Sequence, residues 1–319
     1  MNSQKGSGKI VSLLPSATEI VCALGLKDRL AGVTHECDYP PGVSEKPHLT
    51  ASRIDHGRMT SKEIDHAVRT SLDGHGSIYE LDEQSLSEID PELIVTQELC
   101  EVCAVSYKTV RRAARRYTAD ATVVSLEPNT VSDIFENILE VGELAGVRDR
   151  ATEEVKNLRR RLDSLRESSS ALNEKPSVLM LEWLEPPFAP GHWVPEQVEA
   201  AGGICVLGET GKKSVTTTFE ALAESKAEVM VLIPCGYSTS DILEQLERTE
   251  FPSALADLPA IRENNVWALD ASAYFSRPGP RVVDGAEILA KILHPGVFGK
   301  PSSREAVRVA RKDIRISDR

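Results

Sequence analysis

The sequence predicts an α/β protein made of two Rossmann-like lobes with parallel sheets, joined by a long connecting α-helix, with a ligand cleft between the lobes. Three observations predict it. Short apolar runs of β-type residues alternate with amphipathic helical runs along most of the chain, as a parallel sheet covered on both faces requires. The stretch Leu86 to Val95, L-S-E-I-D-P-E-L-I-V, reappears in kind as Leu222 to Val231, L-A-E-S-K-A-E-V-M-V; each is a helix end, a turn and a buried strand, and each runs on to a cysteine, Cys100 or Cys235. Between the two copies, residues 131 to about 169 are helical almost throughout.

The first lobe, residues 9–130, opens with the strand K-I-V-S-L-L and the helix P-S-A-T-E-I-V-C-A-L-G. Ser16 and Glu19 read as an S-x-x-E capping box, and Gly25 as the helix stop. The strand L-A-G-V-T follows, then a long loop from His35 to Met59, a helix from about Ser61 to Leu72, a strand at Leu93 to Thr96, a helix from Ser106 to Tyr117 and the strand A-T-V-V-S-L. The connector, residues 131–175, is expected to break at Gly142 and Gly146, and its second segment carries Val155, Leu158, Leu162 and Leu165 on one face. The second lobe, residues 176–295, repeats the alternation: strands S-V-L-M-L-E-W, E-V-M-V-L-I and V-W-A-L-D, with helices beginning near Val194, Phe219, Ser240 and Arg281. Residues 296–319 lose the apolar pattern and are expected to form a flexible basic tail.

With 319 residues and 41% hydrophobic content the chain can build two cores. A net charge of −12 argues against nucleic-acid binding, which needs a basic stripe to neutralise phosphates. No apolar run approaches the ~20 residues that span a bilayer. No apolar signal region or lipid-acceptor cysteine precedes the first strand, so a cytoplasmic location is expected; the alternative is a periplasmic or extracellular protein whose signal has been removed. Six cysteines are too few for a disulfide scaffold and read as thiols or ligands.

Ligands of parallel α/β sheets sit beyond the carboxyl ends of the strands. The residues that follow the expected strands are Pro15 and Ser16; His35, Glu36, Cys37, Asp38 and Tyr39; Gln97 to Cys103; Trp183 through His192 and Trp193; Cys235 to Tyr237; and Tyr274, Phe275, Ser276 and Arg277. Aromatic residues are only 5% of the chain, so their gathering in these loops is informative.

The opening I-V-S-L-L-P-S-A-T-E-I-V-C-A-L-G, the loop H-E-C-D-Y-P, D-P-E-L-I-V-T-Q, G-H-W-V-P-E and F-S-R-P-G-P-R-V-V-D-G-A-E-I-L carry a resemblance. From Lys9 to Pro295 the chain resembles the cobalamin-binding members of the helical-backbone class of ABC-importer substrate-binding proteins. Siderophore, haem and metal binders share that architecture. The resemblance implies a corrinoid held by aromatic and polar contacts, little domain closure, and acidic lobe tips that meet a membrane ABC permease. The expected cytoplasmic location is at odds with that permease partner. A cytosolic carrier or sensor is the form of the function that meets both.

On this reading Pro15, Ser16, His35, Tyr39, Trp183, His192, Trp193, Tyr237, Tyr274, Phe275 and Arg277 are the candidate ligand contacts. Trp193 offers a flat face to a corrin ring, and His192 a hydrogen bond or a cobalt ligand. Cys100 and Cys103 form a C-x-x-C which, with Cys37 and His192 or His35, has the residue types of a zinc or iron site, including an Fe–S cluster; the alternative is reduced thiols lining a pocket. A metal-dependent enzyme or redox protein built on Cys37, Cys100 and Cys103 is therefore the rival function. The sequence has no Ser-His-Asp order, phosphate-binding glycine loop or H-E-x-x-H, and does not by itself argue for catalysis.

Overall fold

The computed structural model describes residues 8–54, 59–75, 78–97, 107–117 and 121–317. They cluster into two units, one of residues up to 58 with 66–128 and 132–157, the other of residues 59–65, 129–131 and 158–319.

In chain order the first part contains β1 (Ile10–Ser12), α1 (Pro15–Ala23), β2 (Leu30–Gly32), β3 (Thr50–Ser52), α2 (Ser61–His75), β4 (Tyr79–Leu81), α3 (Glu83–Ile89), β5 (Leu93–Thr96), α4 (Tyr107–Tyr117) and β6 (Thr122–Ser125). The sheet of the first unit has the order β2-β1-β5-β6, parallel throughout. Its strands are short apolar runs because both faces are covered. Val11 and Ile94 pack with Leu86, Val110, Ala113 and Ala114 to form one core.

Two local expectations change here. The stretch read as a long loop contains β3, which pairs antiparallel with β4, Thr50 opposite Leu81 and Ser52 opposite Tyr79. And α1 starts at Pro15, whose missing N–H costs nothing at a first helical position. Leu14 is the N-cap, without a side-chain bond, and Ser16 and Glu19 lie buried inside the helix, so they form no capping box.

The helices α5 (Val131–Leu144) and α6 (Arg148–Ser170) follow. The break falls at Gly146 alone, at φ +74°. Gly142 stays helical for a different reason: a Cβ there would lie 2.3 Å from the Cβ of Ala151, so the absent side chain lets α5 and α6 touch. Val155, Leu158, Leu162 and Leu165 are buried along one side of α6, as their spacing predicts.

The remaining elements are β7 (Ser177–Leu181), β8 (Phe188–Ala189), α7 (Val194–Ala200), β9 (Ile204–Cys205), β10 (Val215–Thr216), α8 (Phe219–Glu224), β11 (Val229–Leu232), α9 (Thr239–Arg248), α10 (Pro259–Arg262), β12 (Val266–Ala268), α11 (Ala271–Tyr274), α12 (Val282–Leu293), α13 (Pro295–Phe298) and β13 (Val307–Val309). The second sheet has the order β13-β12-β11-β7-β9, parallel except for β13. Arg161 of α6 reaches Glu287 of α12 at 2.7 and 3.0 Å and also bonds Asp284, which fixes α6 to this unit.

The expectation of a flexible tail is corrected. Val307 to Val309 pair antiparallel with β12, Arg308 lies over the Trp267 ring at 5.8 Å, and Phe251 exchanges backbone bonds of 2.9 Å with Arg315 and Ser317. A three-residue strand is too short for its alternation to stand out among basic neighbours, and its partners lie far away in sequence. No described helix is long and apolar enough to cross a membrane.

Candidate functional site

Each sheet presents the loops that follow its parallel strands at one edge, and the candidate residues are placed there. In the first unit, Pro15 and Ser16 are buried within the start of α1. Behind them runs a chain of buried polar side chains. Thr18 donates its hydroxyl to Ser12 Oγ at 2.8 Å, and its oxygen lies 3.1 Å from Cys37 Sγ, which is also 3.4 Å from Thr34 Oγ1. Cys37 is thus a buried thiol bracketed by two threonines.

His35 is partly buried. Its Nδ1 is 2.7 Å from Thr50 Oγ1, and its ring lies 5.5 Å from that of Tyr79, whose hydroxyl donates to Glu36 Oε1 at 3.0 Å. The β3–β4 pair supplies Thr50 and Tyr79, which the sequence reading missed because a pair of three-residue strands leaves little periodicity. Tyr39 is the exposed member of the set, 43% accessible. Cys100 and Cys103 lie outside the described residues.

In the second unit the loops after β7 are built around a ribbon. Residues 188–192 run beside 211–216: Ala189 pairs with Val215 and Phe188 with Thr216, His192 N–H donates to Lys212 O at 2.6 Å, and Gly211 N–H to His192 O at 2.9 Å. Gly191 has to be glycine, since a Cβ would meet Lys212 O and Ser214 N at 2.4 Å. His192 is held at φ +51°, which an L-residue adopts only under local constraint. Its Nδ1 is 3.3 Å from Asn129 Oδ1, an oxygen that only accepts; Nδ1 therefore carries the proton and Nε2 the lone pair. Burial, with Lys213 adding, lowers its pKa, so the imidazole is neutral at pH 7.

Glu182, the first residue after β7, is the acid that the sequence reading passed over in favour of Trp183 beside it. Its carboxyl accepts from Ser214 and, at 3.4 Å, from Gly191 N–H, and burial pushes it up to about 7. A single acid at the end of four buried apolar residues was the available signal.

Trp193 differs from expectation. It is only 6% accessible and donates its indole N–H to Phe275 O at 2.9 Å, itself a bond in the interior. Gln197 one turn on donates to Tyr274 O at 2.9 Å and Val282 O at 2.7 Å. Together they clamp the segment F-S-R-P-G-P-R, and Phe275, 2% accessible, packs inward. Trp183 donates to Ser61 O at 3.1 Å and packs edge-on against Tyr237 at 5.5 Å. Burial pushes the Tyr237 hydroxyl up to about 12. Tyr274 is partly buried beneath Arg281, 6.0 Å from its ring centre, and Arg277 is partly exposed. Trp183, His192, Tyr274 and Arg277 are therefore the members whose surface is open in this unit, whereas Trp193, Tyr237 and Phe275 are mostly enclosed by it.

No group of three His, Cys, Asp or Glu side chains able to hold a metal occurs among the described residues. Cys37 belongs to the first unit and His192 to the second. The thiols of Cys22 and Cys205 are pushed up by burial to about 11 and about 12, out of the reactive range, and Cys235 is exposed.

The family model described as "Periplasmic binding protein" matches residues 10–273. The chain belongs to the periplasmic binding protein family. The vitamin B12-binding protein of Vibrio cholerae serotype O1 is 22% identical over 294 residues, which cover 89% of this chain and 88% of that protein. An ABC transporter substrate-binding lipoprotein of Bacillus subtilis, YvrC, is 23% identical over 92% of this chain and 82% of its own length. Among solved structures, a periplasmic heme-binding protein from Pseudomonas aeruginosa superposes with a TM-score of 0.70 at 20% identity, covering 95% of this chain and 99% of that one; the likeness is one of fold. These relatives overturn the expectation of a cytoplasmic protein. Periplasmic binding proteins and substrate-binding lipoproteins work outside the cytoplasm, and the residues ahead of β1 were no basis for the opposite inference.

Proposed function

We propose that this periplasmic binding protein works outside the cytoplasm, captures a cobalamin-like corrinoid at its strand-end loops, and hands it to an ABC permease. The observation that carries the ligand class is His192. A neutral imidazole on a constrained loop, with Nδ1 committed to Asn129, leaves Nε2 available to ligate cobalt or to bond a corrin side chain. Trp183 and Tyr274, also in segments that follow strands, offer flat apolar surface to the ligand, and Arg277 a cation for its phosphate or amide periphery. His35 and Tyr39 are the candidate contacts of the first unit. Relatives named for vitamin B12 binding, matched over nearly nine-tenths of the chain, support the same reading.

A haem is the second reading, supported by the fold shared with a heme-binding protein, because iron also takes an imidazole ligand. Titrating the protein with hydroxocobalamin, cyanocobalamin and haemin, followed in the visible region, separates the two. Hydroxocobalamin, with an exchangeable upper ligand, is expected to bind and to change its bands on coordination by His192. Saturable haemin binding without any response to corrinoids would replace the corrinoid reading by the haem one.

A further inference from the structure

Glu182 has no part in the ligand contacts proposed above, yet it stands at their base. It directly follows β7, at the ligand end of the second sheet, and its backbone is tied on both sides: its N–H donates to Phe188 O at 3.1 Å, and its carbonyl accepts from Cys235 N–H at 3.1 Å. The side chain touches one atom in each half of the ribbon, Gly191 N–H in the first and Ser214 in the second. His192 follows Gly191 directly, and its own backbone bonds go to residues 211 and 212 of the second half. The position of His192 therefore depends on how the two halves are fastened, and Glu182 is the side chain that bonds both.

We propose that Glu182 is a positioning residue which makes the hold of His192 on its ligand dependent on pH through the neutral range. Protonated, the carboxyl is uncharged in its buried place and its bonds to Gly191 and Ser214 fasten the ribbon; ionised, it carries a charge that burial disfavours, opening of the ribbon rehydrates it, and the loop carrying His192 loosens as pH rises. Burial supplies the midpoint, since the carboxyl is pushed up to about 7. The charged and titratable groups on the segments beside it are Lys212 and Lys213 on the second half of the ribbon, His192 on the first, and Cys205 on β9, which interacts with Glu182 and with Glu199 of α7. Cys205 stays protonated through this range and burial lowers the pKa of His192; Glu182→Gln leaves both in place and is the control for them. The inference rests on the reading that His192 faces the ligand.

The test has two arms, one of which needs no ligand. In the apo protein, amide exchange at Gly191 and His192, divided by the intrinsic rate at each pH, should become less protected as pH rises from 5.5 to 8.5. Glu182→Gln should show no such transition, and Ser214→Ala, which removes a bond favouring the carboxylate, should move its midpoint up. In the second arm, hydroxocobalamin affinity of the parent, divided by that of Glu182→Gln at the same pH, should drop by about tenfold as pH rises over the same range, the equivalent of about one pKa unit of linkage. A transition that persists in Glu182→Gln, or none in the parent, overturns the role of Glu182. An exchange transition of the expected form with no corrinoid binding overturns the ligand reading instead.

Discussion

Replacing Trp193 by Ala separates a side chain that presents its face to a ligand from one that holds its own unit together. The indole is 6% accessible, and its N–H meets Phe275 O at 2.9 Å. An aromatic ring of this size buries about 200 Å², and at ~25 cal/mol/Å² that is ~5 kcal/mol, an upper figure because the unfolded chain already hides part of it. Large-to-small replacements of buried tryptophan cost about 3–5 kcal/mol in practice, a large part of the ~5–15 kcal/mol that keeps a domain folded. Trp193→Phe isolates the polar part: the ring is mostly kept, Phe275 O loses its donor, and ~1–3 kcal/mol should go. The assay is urea denaturation followed by circular dichroism, with midpoint and slope both fitted. Trp193→Ala should move the midpoint down steeply and Trp193→Phe by less. A loss under about 1 kcal/mol for the alanine variant, with corrinoid affinity abolished, would refute this reasoning and return Trp193 to the ligand surface.

Four further outcomes follow from the geometry. Glu182 has its carboxyl raised from 4.5 to about 7, so the folded chain holds a proton that the unfolded chain has already lost; its contribution to stability is present below pH 4.5 and is lost as pH rises to about 7. Glu182→Gln should remove that slope and stabilise the protein at pH 8 by at most ~3 kcal/mol, less what the two charge-assisted bonds return, as read by urea midpoints at pH 5 and pH 8. Gly191→Ala should destabilise the ribbon by more than about 1 kcal/mol, because its Cβ would strike backbone atoms of residues 212 and 214 at 2.4 Å, and corrinoid affinity measured by fluorescence quenching should fall with it. Truncation after Gly299 should lower the melting temperature by at least ~4 °C, since it strips β13 and the Arg308–Trp267 contact from the edge of the second sheet. In native protein treated with an alkylating reagent and digested for mass spectrometry, Cys235 should be modified well before Cys37, which is 2% accessible between two threonines.

The parallel sheets were legible because their strands are apolar runs between helical repeats, a pattern that survives without knowledge of tertiary contacts. The α6 face from Val155 to Leu165 was readable for the same reason. What escaped the sequence was whatever depends on distant partners. The β3–β4 pair joins three-residue segments across α2, and β13 finds β12 from some forty residues away. Ser16 and Glu19 have the spacing of a capping box, but Pro15 starts the helix two residues earlier and turns both inward. Of the candidate site, the loops that follow the strands were readable, yet the sequence could not tell which aromatics face out. Trp193 and Phe275 are adjacent to strand-end positions and still serve the interior. Glu182 was missed because its importance comes from Gly191 and Ser214, one on each half of a ribbon that the sequence does not announce.

The central claim, a corrinoid captured by this periplasmic binding protein, is tested most directly by isothermal calorimetry of the purified chain with hydroxocobalamin. The account predicts saturable heat at one molecule per chain, with His192→Ala weakening the affinity. No heat and no spectral change with any corrinoid would contradict it.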